Sequence, residues 1–403
     1  MTAQAVPTLA NGTGCITGLL APAALITRYG PTSFRTYWYI CSAMLALSTL
    51  ICYFCYNPPA RELQQTLTIR EKINRLDWIG GGLITLGLIS LCIALFWAQN
   101  PYPWASAQVL VPLCVSIVVL ATFGLYETKY KKDGMLNHRI FSRDWNVAIA
   151  LAGMAFEGLI YIPKPILMGA NFSIGFITYI IVGWCAAWYS YRRKGVRMIV
   201  IVGFTSFLIF NICMATATLK SRTSMWGYAI FFGIGLPCVL NGQVSLAQFS
   251  APPELIATTS GLLATFRGVG TCVGAAIYTA LYNAKTTNNL PREIAKSVAN
   301  FDLPVTSLRS LILDLPSGNT HSLAKIPGIT PEVIAAATHG LQIAYLKSFR
   351  YLWITSAACA AGGMLIALFL KDVTSDFNQK IDAPAESEEA LYGDRIKQAV
   401  LQA

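Results

Sequence analysis

The chain has 403 residues, of which 55% are hydrophobic and 12% charged, with a mean hydropathy of +0.52. That composition is far more apolar than a globular core requires, which excludes an ordinary soluble domain and points to a membrane protein. The net charge of +11 does not indicate nucleic acid, because Lys and Arg lie in short clusters between apolar runs, where membrane topology accounts for them.

The N-terminal MTAQAVPTLANGTG lacks a basic start, an apolar core and a small-residue cleavage site, so no signal peptide is expected. Apolar runs of membrane-crossing length predict ten spans, at 10–29, 37–56, 78–98, 108–127, 146–165, 172–191, 197–217, 226–247, 257–282 and 351–371. The expected fold class is an all-α polytopic helical bundle. One alternate set of connections holds Arg61, Arg70, Lys72 and Arg75, then Lys129, Lys131, Lys132, Arg139 and Arg143, then Arg192, Arg193, Lys194 and Arg197. By the positive-inside rule these face the cytosol, and both termini with them. The stretch 283–350 is too polar to span and is placed outside by the alternation. Within it Thr330-Pro331-Glu332 reads as a helix start, with a cap, a first-turn proline and a first-turn acid. Residues 372–403 are expected to be a cytosolic tail, and its acidic part, 382–403, reads as solvated.

All eleven cysteines fall in apolar stretches and behave as small hydrophobes. Cys52-x-x-Cys55 stands alone without a second pair or a histidine, so no metal or cofactor site is expected. There is no nucleophile elbow, zinc-protease pattern, phosphate loop or paired acid to support an enzyme.

Candidate functional residues are instead the few polar groups at membrane depth: Glu157, Asn211, Asn241, Gln243 and Arg267. An ionisable residue inside a span normally faces a bundle interior or a wet cavity and marks a pathway. Arg267 either does this or lies near the cytosolic end and snorkels. Glu157 either changes protonation during transport or is a neutral acid bonded to a neighbouring helix. Asn241 and Gln243 offer hydrogen bonds to an organic ligand, or simply meet water at a helix end. Gly12, Gly14 and Gly18 repeat the spacing of Gly268, Gly270 and Gly274. Small residues at this spacing let membrane helices approach closely, and the repetition suits parallel repeats related by an axis along the membrane normal.

The stretches LDWIGGGLITLGLISLCIALFWA, APPELIATTSGLLATFRGVGTCVGAAIY and KIPGITPEVIAAATHGLQIAYLKSFRYLW are similar to the first linker span, the penultimate span and the end of the long outer loop of one family. GTGCITGLLAP is similar to its antiporter glycine-proline motif. The chain resembles the major facilitator superfamily, and within it the fourteen-span drug:proton antiporters of fungi, particularly the trichothecene efflux pumps and the neighbouring siderophore transporters.

The resemblance aligns the ten spans with the family's fifth to fourteenth, which leaves the N-terminal half incomplete and its arginine-glycine loop and coupling arginine unmatched. It implies a two-span remnant at 1–56, a cytosolic linker at 57–77, two linker spans within 78–127 and a cytosolic loop at 128–145. A six-span bundle then occupies 146–371, with 283–350 as the outer loop. The implied function is proton-coupled efflux of a small organic toxin or drug from a bilayer, with the plasma membrane as the expected site. The alternatives are siderophore-iron uptake and a truncated, non-transporting membrane protein.

Overall fold

The computed structural model describes residues 2–55, 70, 77–98, 102–130, 138–141, 144–161, 171–222, 224–252, 255–301, 303–317 and 326–373. Each of the ten expected spans overlaps one helix, with residues 56 and 162–165 lying outside the described residues. These are α1 (Thr2–Tyr29), α2 (Phe34–Cys55), α3 (Trp78–Trp97), α4 (Ala107–Leu125), α5 (Asn146–Tyr161), α6 (Asn171–Arg193), α7 (Arg197–Thr216), α8 (Ser224–Ser250), α9 (Ile256–Val298) and, after a short α10 (Val305–Asp314), α11 (Pro331–Ala367). Among the described residues nine helices are long and apolar enough to cross a membrane, and α5 is a shorter apolar helix. Helices are the expected solution because hydrocarbon offers backbone groups no water, so each span satisfies them internally. Pro22, Pro112 and Pro237 sit inside spans, where neighbouring helices make such breaks tolerable. Together with the family match reported below, these spans make the chain a multi-pass integral membrane protein.

Six helices, α5 to α9 and α11, form the main bundle. In it α9 packs on α5 and α11, α8 packs on α6, α7 and α5, and α7 packs on α11. Phe176, Phe207, Phe210, Phe232 and Trp353 interlock at its centre, with Phe210 edge-on to Trp353 at 5.7 Å between ring centroids. Edge-to-face contacts of this kind fix relative helix rotation beyond what apolar area alone does. The hairpin of α3 and α4 leans on the bundle through α9. Asp77 caps the start of α3 by accepting the Gly80 amide at 3.0 Å, and Tyr126 donates to the same carboxylate at 3.1 Å. The start of α3 is thereby tied to the end of α4. Helix α1 lies on α6, while α2, joined to α1 through Gly30 at φ 88, has no buried residue.

The end of the bundle where α5 and α7 begin is closed by the segment after α11. Asn146 donates to the Lys371 carbonyl at 3.1 Å and to Ser250 at 3.3 Å, and accepts from the Lys371 amide at 2.9 Å. Asp372 accepts the amides of Val196 and Arg197, each at 3.0 Å, and so caps α7 from another part of the chain. Asp372 and Val373, the first residues after the last span, belong to the packed bundle end, Val373 being 4% exposed.

At the opposite end, the described part of the stretch 283–350 is largely a continuation of two spans, since α9 runs 43 residues and α11 runs 37. At 1.5 Å per residue they reach about 64 and 55 Å, roughly twice the thickness of the hydrocarbon layer. Their projecting parts share a separate core of Ile294, Val298, Leu311, Leu315, Ile326, Val333 and Ala337 with α10 and the segment before α11. Lys347 pairs with Glu293 at 2.8 Å and Asn289 donates to Ser348 at 3.1 Å. The expected start of α11 is present, with Thr330 accepting the Val333 amide at 3.4 Å. Hydropathy marks where a helix stops being lipid-compatible; it does not mark where the helix ends.

The two glycine ladders serve unequally. A Cβ at Gly270 would collide with the Ala155 carbonyl on α5, and one at Gly158 would collide with the Arg267 carbonyl on α9, so each helix presents a glycine to the other's backbone. Gly274 is buried on the same helix. Gly268 and Gly14 meet open space, Gly18 only approaches the Tyr37 hydroxyl, and Gly12 abuts Tyr179 and Ile180 of α6. Gly270→Val should therefore wedge α5 from α9, costing about 1–3 kcal/mol as an overpacked site, while Gly268→Val should be near neutral. Thermal unfolding of the detergent-purified protein compares them, and equal effects would contradict the close approach.

Candidate functional site

Glu157 on α5 and Arg267 on α9 each lie eleven residues after the first residue of their helix. That is about 16 Å along each axis, near the middle of a layer about 30 Å thick. Equal depth and the glycine contact together bring the two side chains into register. Arg267 Nε donates to Glu157 Oε2 at 2.5 Å, and Nη2 donates to Oε1 at 3.3 Å. The guanidinium fork therefore engages both carboxylate oxygens, the geometry that makes Arg rather than Lys suited to such a pair. Glu157 has a fully buried side chain, whereas that of Arg267 is 33% exposed. Arg267 thus reaches a carboxylate in the bundle interior while part of its side chain stays open. For Glu157 the partner is the charge on a neighbouring helix.

One turn before Glu157 on α5, Gly153 makes room for Gln243 of α8, whose amide nitrogen would collide with a Cβ there. Gln243 is 1% exposed, and its Oε1 finds no hydrogen-bond partner among the described residues. Asn241, two residues away, turns to a different seam and donates to Thr8 Oγ1 of α1 at 2.9 Å. Thr8, 2% exposed, packs where Gly183 of α6 leaves space and also interacts with the Tyr179 hydroxyl. This polar seam joins α1 to α6 and α8. Asn211 is placed elsewhere: it is fully buried, its amide donates to the Phe207 carbonyl of its own helix at 2.8 Å, and its Oδ1 lacks a partner among the described residues.

Of the five polar candidates, then, the structure brings two into direct contact, sets Gln243 a turn away along α5, and sends Asn241 and Asn211 to separate packing seams. Sequence reasoning missed Thr8, Tyr179, Gly153 and Gly158. Gly158 had a local signal, as a glycine adjoining a mid-span acid; Thr8 and Tyr179 had none, because their significance lies in contacts made across more than 170 residues of chain. Among the described residues no group of three or more His, Cys, Asp or Glu side chains could hold a metal.

A buried pair of this kind contributes little net stability, yet removing one member strands the other. Glu157→Leu and Arg267→Met are each expected to destabilise the protein by about 3–5 kcal/mol. The double variant, which removes both charges and keeps the volume, should recover most of that loss. A thermal-unfolding cycle over the four proteins checks this; strictly additive losses would show that the two side chains do not act as a pair.

Comparison with known proteins adds three findings. A family profile described as Major Facilitator Superfamily matches residues 1–275. The chain is 23% identical to "Efflux pump FUS6" of Gibberella fujikuroi, over 81% of this chain and 61% of that protein. It is also 22% identical to "MFS-type transporter sphD" of Aspergillus fumigatus, over 87% of this chain and 60% of the relative, and 21% identical to "Trichothecene efflux pump TRI12" of Fusarium sporotrichioides, over 85% and 61%. In these alignments the chain spans about three fifths of the length of the relatives it matches.

Proposed function

The chain belongs to the major facilitator superfamily, and on that premise we propose that it exports small organic toxins across the plasma membrane in exchange for protons, with Glu157 and Arg267 as the coupling pair. The observation that carries this reading is the forked ion pair at mid-bundle, one member wholly buried and the other partly open. While α9 holds Arg267 against α5, Glu157 keeps its charge. When α9 shifts relative to α5 the pair parts, and a buried carboxylate stripped of its counter-charge is neutralised by a proton rather than left ionised. Proton uptake is thus linked to helix position, which is the requirement for exchange. Gln243 of α8, which packs on Gly153 one turn before Glu157 and whose amide oxygen has no partner among the described residues, contributes a hydrogen bond to a hydroxylated substrate. The efflux direction and the toxin class are drawn from the relatives' names. The arrangement of Lys and Arg supports cytosolic termini.

Reconstituted vesicles loaded with a radiolabelled trichothecene test the proposal. An imposed pH gradient should drive the label against its concentration gradient, and Glu157→Gln should reduce that gradient-driven rate at least tenfold while leaving exchange of labelled for unlabelled substrate intact. The proposal fails if the unmodified protein gives no gradient-driven flux, or if Glu157→Gln couples as well as the parent.

A further inference from the structure

Two thiols meet at the seam between the α3–α4 hairpin and the main bundle. Cys92 of α3 and Cys272 of α9 have their Sγ atoms 3.1 Å apart, and both are partly exposed. A disulfide requires about 2.05 Å, so a shift of about 1 Å, within the reach of a side-chain adjustment, would bring them to bonding distance. The pair lies fourteen residues into α3 and sixteen into α9, on two helices that pack together. The position is mechanically consequential. Helix α3 is the hairpin's main contact with the bundle, and Cys272 sits five residues beyond Arg267 on the same helix.

From this geometry we propose that Cys92 and Cys272 form a reversible disulfide that fastens the α3–α4 hairpin to α9. With hydrogen peroxide as the oxidant, one thiolate attacks a peroxide oxygen, the O–O bond breaks, and the sulfur becomes a sulfenic acid as hydroxide leaves and takes up the thiol's proton as water. The second thiol then attacks that sulfur, the S–S bond forms, and a second water departs with its proton. In sum two thiols and one peroxide give one disulfide and two waters. A dithiol reverses the link by exchange. Every other cysteine pair must compete with two sulfurs already in contact, so formation is selective.

The full chain in membranes is treated with hydrogen peroxide, the remaining thiols are alkylated in denaturant, and non-reduced peptides are read by mass spectrometry. The expected result is a peptide joining Cys92 to Cys272 at least tenfold more abundant than any other cysteine pairing and abolished by dithiothreitol. In Cys92→Ser, Cys272 should instead be recovered alkylated. The proposal is overturned if, in the unmodified chain, both residues are recovered as free thiols at peroxide doses that oxidise the exposed Cys114 and Cys185. It is equally overturned if Cys272 is found linked to a different cysteine.

Discussion

A charge held away from water must be matched within hydrogen-bond distance, and at the middle of this bundle α5 and α9 meet that constraint together. Glu157 has no exposed side-chain surface, so α9 must present Arg267 to it at the same depth and orientation or the fold carries an unpaired charge. A cation at a helix centre in hydrocarbon already costs about 2.5–3.5 kcal/mol on insertion scales. The glycines at 158 and 270 follow from that demand, because side chains there would hold the two backbones too far apart. So does the order of packing, with α9 occupying the position that touches α5, α11 and α3.

Around that pair, each end of the bundle has its own set of ties. At one end Asn146, Arg197 and Asp372 bind α5, α7 and the segment after α11 into a unit. At the other, the long projections of α9 and α11 share their own apolar core and the Glu293–Lys347 ion pair. Between them α9 meets α5 through glycine–backbone contacts, the Glu157–Arg267 pair and the apolar Leu262 and Leu263. The aromatic cluster lies on α6, α7, α8 and α11 instead. The proposed coupling requires α9 to move relative to α5 while the aromatic face stays as the frame.

The helices were legible because each span needs a long apolar run and nothing else in such a chain supplies one. The mid-span charges were legible individually, since an ionisable residue at that depth is rare and costly. What spacing could not supply was the partner. Glu157 and Arg267 are separated by 110 residues, and whether a buried acid meets a cation, an amide or a backbone depends on how helices are arranged. The same limit hid the Thr8–Asn241 bond and the contact of Cys92 with Cys272. Glycine spacing misled at Gly14 and Gly268 for a related reason. A ladder marks a face capable of close approach, and only the partner helix decides which rungs are used. Hydropathy does not mark the ends of α9 and α11, where a polar but helical sequence continues each span.

The central claim is that Glu157 changes protonation as its bond with Arg267 opens and closes. Infrared difference spectra of the reconstituted protein, taken as the pH gradient is switched or substrate is added, observe that carboxyl directly. A carboxylic-acid stretch should appear as the carboxylate bands decline, and it should vanish in Glu157→Gln. Gradient-driven transport accompanied by no change in the carboxyl bands, or by a change that persists in Glu157→Gln, would contradict the claim.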